Sequence, residues 1–150
     1  IQEVPTPVDY PQVYDVKGVN FTANNNYSYN ATFKKAMLDQ DYVVIYRQNG
    51  NLNNGKPIWE PLPAIHYEAN GSQYDEIDYN FDFSAYDFTL YLEGEGSSFA
   101  LPKYSQNQTF RVVLVPAEFG KGTTSNLSKM SYDEVIQRYK IDDSKVVDLK

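Results

Sequence analysis

Apolar and polar residues alternate along most of this chain, and in two places the alternation gives way to a continuous apolar run. Thr109–Val115 reads T-F-R-V-V-L-V and closes on Pro116. It is the longest such run, is rich in β-branched residues and follows the turn-forming Ser105-Gln106-Asn107. A short run with those boundaries reads as a strand buried on both faces, and it is the expected centre of the fold. Tyr42–Arg47, Y-V-V-I-Y-R, is the expected second central strand.

The alternating stretches supply the remaining strands. Residues 12–20 set Val13, Asp15 and Lys17 against Tyr14, Val16 and Gly18, which predicts a first strand, assigned to an edge. Asn24-Asn25-Asn26 is a turn, because Asn tolerates left-handed geometry. Residues 27–33 then place Tyr27, Tyr29, Ala31 and Phe33 on one face, and residues 34–41 are read as a helical turn. After the second central strand, Asn49-Gly50 and Asn54-Gly55 predict a long hairpin loop. Residues 57–67 carry prolines at 57, 61 and 63, which cannot donate to a ladder, so this stretch is an edge or broken strand. Asn70-Gly71 makes the next turn. Residues 73–83 alternate most clearly, with Asp75, Ile77, Tyr79, Phe81 and Phe83 against Tyr74, Glu76, Asp78, Asn80 and Asp82. One face is apolar from Ile77 onward and the other acidic, the pattern of an antiparallel strand with one wet side. Residues 87–93 repeat it, with Phe88, Leu90 and Leu92 inward, and 94–98 reads as a flexible loop.

After Pro116 the period changes. Ser131 with Glu134 three residues on is a capping-box signature, and Val135, Ile136 and Tyr139 fall on one face of a short amphipathic helix over 131–140. Residues 142–149 are assigned a further helical turn. About seven strands, spaced by turn signals and ending in a small helix, predict a mainly β protein: an antiparallel β-sandwich with a short C-terminal helix. Residues 1–11, with three prolines, read as an extended lead with a trimmed start at Ile1, and 12–150 as a single domain.

Composition sharpens this picture. The 150 residues include 14 Tyr and 8 Phe against 2 Met, a strand-favouring bias. Lys and Arg number 13 against 20 Asp and Glu, giving a formal charge of −7, which opposes nucleic-acid or anionic-membrane binding. The absence of cysteine excludes disulfides, thiolate metal sites and cysteine nucleophiles. No apolar run reaches the ~18 residues of a spanning helix.

Few residues suggest chemistry. His66 is the single histidine; no nucleophile-elbow sequence accompanies it, so it reads as a structural edge residue and the chain as a non-enzyme. Asp75, Glu76, Asp78, Asp82 and Asp87 are oxygen donors of the kind Ca²⁺ takes. Their spacing does not follow a calcium loop, and they read as a solvated face with no metal or cofactor. Trp59 with Tyr67 and Tyr46 is the candidate ligand platform, since exposed aromatic faces stack on sugar rings or a partner protein. Asn-x-Ser/Thr occurs at Asn20, Asn26, Asn30, Asn70, Asn107 and Asn126.

Several stretches together resemble a known group. They are F-T-A-N-N-N-Y-S-Y, D-Y-V-V-I-Y-R, W-E-P-L-P, Y-N-F-D-F, F-T-L-Y-L-E-G and the block Q-N-Q-T-F-R-V-V-L-V-P-A-E-F. Over residues 16–119 they resemble small outer-membrane lipoproteins of Bacteroidetes- and Flavobacteria-type bacteria. The resemblance implies an extracytoplasmic domain held at an outer membrane, periplasmic or surface-facing, through an upstream lipid-bearing cysteine that this chain does not contain. The resemblance supplies no catalytic residues, and with it the first reading is a domain that contacts an outer-membrane or surface protein. The alternative, which rests on Trp59 and the neighbouring tyrosines, is a glycan-binding β-sandwich.

Overall fold

The computed structural model of the chain describes residues 12–33, 36, 42–116, 127 and 129–149. The expected lead at 1–11 and the expected helical turn at 34–41 lie outside the described residues, Ala36 apart.

Among the described residues, nine strands form two sheets. In chain order they are β1 (Val13–Val19), β2 (Ser28–Thr32), β3 (Tyr42–Asn51), β4 (Pro57–Pro61), β5 (Ala64–Asn70), β6 (Gln73–Phe83), β7 (Asp87–Glu95), β8 (Gln108–Val115) and β9 (Val147–Asp148). Sheet A runs β4-β3-β8-β1-β9 and sheet B runs β2-β7-β6-β5. All neighbours are antiparallel except β1 and β9, which are parallel. A short helix α1 (Pro102–Ser105) precedes β8, and helix α2 (Tyr132–Arg138) follows it. Ser131 and Glu134 cap α2 reciprocally, as the sequence signature predicts.

The mainly β sandwich is as expected, and β8 is its centre. β3 pairs with one side of β8 and β1 with the other, and Phe110, Val112, Val113, Leu114 and Val115 are all fully buried. Alternation sends Phe110, Val112 and Leu114 between the sheets, where they meet Ile77, Tyr79, Phe88, Leu90 and Leu92 of sheet B. Val113 and Val115 point the other way, into a second core with Val44, Tyr46, Val135 and Tyr139 under α2. The molecule therefore has three layers, helix on sheet A on sheet B.

The strand count exceeds the expectation for two physical reasons. The proline-rich stretch 57–67 breaks into two strands, because Leu62 and Pro63, joined by a cis peptide, carry the chain from the edge of sheet A to the edge of sheet B. Residues 142–149 form no helical turn: the Asp142 side chain accepts from the Ser144 amide at 3.0 Å, a local bend, and Val147 then pairs with Tyr14. That pairing also makes β1 an interior strand rather than an edge. The β5–β6 hairpin closes through Gly71 at φ +65, a left-handed position that Gly adopts without strain. The loop expected at 94–98 is partly strand, since β7 continues to Glu95. Gly96 follows at φ +85 against the Asp75 carboxylate, where a Cβ would collide.

Candidate functional site

The three candidate ligand aromatics do not share a surface. Tyr46 is fully buried beneath α2, its ring edge-on to Tyr132 at 5.4 Å. Its hydroxyl is enclosed without a partner among the described residues, and burial pushes its pKa up. Trp59 is half-buried on the same side of sheet A, with the Arg111 guanidinium 4.6 Å over its ring. Tyr67 is 63% exposed on the outward side of sheet B, at the opposite surface of the sandwich. Trp59 and Tyr46 meet only through Tyr132, inside the packing.

Around Trp59 the structure assembles a charge cluster. Arg111 Nε and Nη2 donate to the two Asp15 oxygens at 2.7 and 2.9 Å, and Nη1 donates to the Tyr132 hydroxyl at 3.1 Å. Tyr132 in turn donates to Asp143 at 2.7 Å. Burial works against the Arg111 charge, but the Asp15 hydrogen bonds and charge outweigh it and hold its pKa above the ordinary value. A guanidinium gripped by a fork-shaped carboxylate and stacked on an indole is held in place, which makes the cluster a tie between β1, β8, β4 and α2.

His66 belongs to a second cluster, between the sheets. Arg47 of β3 is buried, lies 4.3 Å over the Tyr79 ring and donates to Glu60 at 2.8 Å and Gln108 at 2.9 Å. His66 Nε2 lies 2.9 Å from the same Glu60. Among the described residues Glu60 is the hydrogen-bond partner of His66, so the imidazole ties β5 to β4, with the Tyr79 and Tyr104 rings beside it. Neither arginine cluster was read from the chain. The available signal was an arginine inside an otherwise apolar strand run, at Arg47 and Arg111, since a charge there needs an acid on a neighbouring strand.

The acids of sheet B divide into two sets. Asp75 points inward at 7% exposure, accepts from the Ser98 hydroxyl at 2.7 Å and from Asn70 at 3.1 Å, and is thereby separated from the acidic face. The Ser98 hydroxyl bond leads in holding its pKa below the usual range, against the opposing effect of burial. Asp82 and Asp87 have donors of their own, Tyr91 at 2.7 Å and Asn30 at 3.2 Å. Among the described residues Glu76, Asp78, Glu93 and Glu95 meet no amide, hydroxyl, lysine or arginine donor, and Glu76 and Asp78 interact with each other. Glu76 stands opposite Glu95 and Asp78 opposite Glu93 on the outward side. Hydrogen bonding with Asp78, then partial desolvation, then the charges of Asp78 and Glu95 raise the Glu76 pKa. Asp78 Oδ1 is buried with no hydrogen-bond partner among the described residues. No group of three or more His, Asp or Glu among the described residues is arranged to hold a metal ion.

Beside these acids lies the most exposed apolar surface of sheet B. Ile65 and Tyr67 on the edge strand β5 are 57% and 63% exposed, and Tyr74 on β6 is 73% exposed. In register, Ile65 adjoins Asp78 and Tyr67 adjoins Glu76. A depression of about 240 Å³ opens here, lined by Pro63, Ile65, Asp78 and Glu93 among others. A larger cleft of about 470 Å³, at the end of the sandwich where β3 begins, is walled by Tyr42, Leu62, Phe81, Phe83 and Leu127. Tyr42 and Leu127 adjoin stretches outside the described residues.

Compared with known proteins, the chain matches no family model, no curated protein and no solved structure. No helix among the described residues is long and apolar enough to cross a membrane.

Proposed function

We propose that this is a non-enzymatic extracytoplasmic domain that acts by contacting another protein, as an accessory subunit of an outer-membrane complex. The observation that carries the reading is the unequal cover of the sandwich. Helix α2 seals much of the outward face of sheet A, whereas the outward face of sheet B is uncovered among the described residues and carries Ile65, Tyr67 and Tyr74 exposed side by side. Exposed apolar side chains grouped at a sheet edge, rather than scattered, mark an interaction surface. The membrane setting and the upstream lipid anchor are supported by the resemblance to outer-membrane lipoproteins. A glycan platform on Trp59 is less well supported, because Arg111 occupies one face of the indole.

The test is capture of a partner from solubilised outer membranes of the source organism. The wild-type domain is expected to retain one partner that a Tyr67→Ser/Tyr74→Ser double variant with unchanged melting temperature loses. Equal retention by both removes the sheet B face from the function. For the setting, mass spectrometry of the mature native protein should find a diacylglycerol-bearing N-terminus, and its absence ends the anchored reading.

A further inference from the structure

Building on the reading of sheet B as a protein-contact face, we infer that the face selects a cationic segment of its partner. A lysine or arginine side chain enters the depression beside Ile65, Asp78 and Glu93, and neighbouring residues of the segment lie along Glu76, Glu95 and Tyr67.

Three independent observations converge on this surface. The first is charge distribution. The strands of sheet B contain eight acidic residues, Glu68, Asp75, Glu76, Asp78, Asp82, Asp87, Glu93 and Glu95, and neither lysine nor arginine. Glu68 is answered by Lys103 from α1 at 2.7 Å, and Asp75, Asp82 and Asp87 by neutral donors. That leaves the quartet of Glu76, Asp78, Glu93 and Glu95. Like charges directly opposite on paired strands destabilise a sheet, so the register that faces Glu76 with Glu95 and Asp78 with Glu93 works against the isolated fold. A cation laid across the quartet reverses that sign.

The second observation is one oxygen of Asp78, Oδ1, which is buried with no hydrogen-bond partner among the described residues, at a residue that lines the depression. A buried carboxylate oxygen without a donor is unfavourable, and an ammonium or guanidinium supplies one. The third is the apolar border. Ile65 and Tyr67 flank the quartet in register and offer surface to the aliphatic stem of a long cationic side chain, with the Tyr67 ring available to the charged head. Together they match the two parts of lysine or arginine, an apolar stem and a charged tip.

The experiment follows the amide shifts of ¹⁵N-labelled protein during titration with a short synthetic peptide of lysine, arginine and glycine. A peptide with glutamate at every basic position is the control. Expected are shifts clustered at Ile65–Tyr67, Glu76–Asp78 and Glu93–Glu95, lost with the control peptide and weakened by added salt. Glu93→Gln/Glu95→Gln, at two exposed positions, should weaken binding by about tenfold or more, the scale of a lost close charge pair. Glu76→Gln and Asp78→Asn provide the second pair. Shifts that are absent, scattered over α2, or unaffected in both pairs of variants overturn the inference. So does millimolar Ca²⁺ that reproduces the same shifts without peptide, which would mark a metal site. If the peptide fails while partner capture still depends on Tyr67 and Tyr74, the contact surface stands and only its preference for cations falls.

Discussion

Sheets A and B face each other across one core yet treat charge in opposite ways. The strands of sheet A contain three acids and three bases, and each acid meets a base: Asp15 with Arg111, Glu60 with Arg47 and Asp148 with Lys17. The strands of sheet B contain neither lysine nor arginine, and four of their acids crowd one another on a wet face. The difference follows from position. Sheet A is the middle layer, so a charge on its central strands must leave water and needs a partner with good geometry. Sheet B is an outer layer with one face in solvent, where an unpaired carboxylate keeps part of its hydration and costs the fold less than a buried, unpaired charge in sheet A. Pairing is therefore a condition of the fold in one sheet, and its absence is tolerated in the other.

The sharpest test of this contrast is to delete one acid from each sheet. Glu60→Ala strands Arg47 between the sheets without its counter-charge, and should cost about 3–5 kcal/mol in urea melts. Glu93→Ala removes an exposed acid with no base beside it, and should change stability by less than about 0.5 kcal/mol. Similar losses at the two positions would break the comparison.

A smaller effect separates the layers by packing alone. Val113, fully buried under α2 on the strand covered on both faces, should lose about 1.5–3 kcal/mol on truncation to alanine. Ile65→Ala, at an exposed edge position, should lose less than about 0.5 kcal/mol. A loss below that figure at Val113 would show that β8 is not the centre of the molecule.

The smallest effect compares two acids one residue apart on β6. The folded-state pKa of Glu76 is raised, so its contribution to stability is fully present below the ordinary Glu range and is lost as pH rises through the raised value. Charged Glu76 thus works against the fold at neutral pH. Glu76→Gln should raise the melting temperature at pH 7 and lose that advantage in acid. Asp75 has the opposite sign. Its pKa is lowered, so its contribution is present above the ordinary Asp range and is lost as pH falls through the lowered value. Asp75→Asn should lower the melting temperature at pH 7. Matching signs for the two variants would show that facing inward or outward does not govern these acids.

Much of the sandwich was legible because strand signals are local. The run ending at Val115, the alternation from Tyr74 to Phe83 and the Ser131–Glu134 cap each declare an element through neighbouring residues alone. The prolines at 57, 61 and 63 announced a broken strand, but not that the chain changes sheet at Leu62–Pro63. Residues 142–149 were misread because Val147 becomes a strand only when Tyr14 offers an edge to pair with. The candidate platform dissolved for a similar reason: alternation assigns Trp59 and Tyr67 to faces, but says nothing of Arg111 and Tyr132 waiting above the indole.

By itself, the order of residues determined which segments are strands, which faces are apolar, and that the chain ends in a capped helix on a β framework. These properties follow from side-chain period, turn chemistry and capping, which act over a few positions. Tertiary structure alone decided which acids are answered and which are not. Asp15 and Arg111 are 96 positions apart and become a pair only because β1 and β8 lie side by side, while Glu76 and Glu95 are brought face to face by the register of β6 on β7. Charge pairing depends on distances of a few ångströms between segments remote in the chain, and only folding sets those distances.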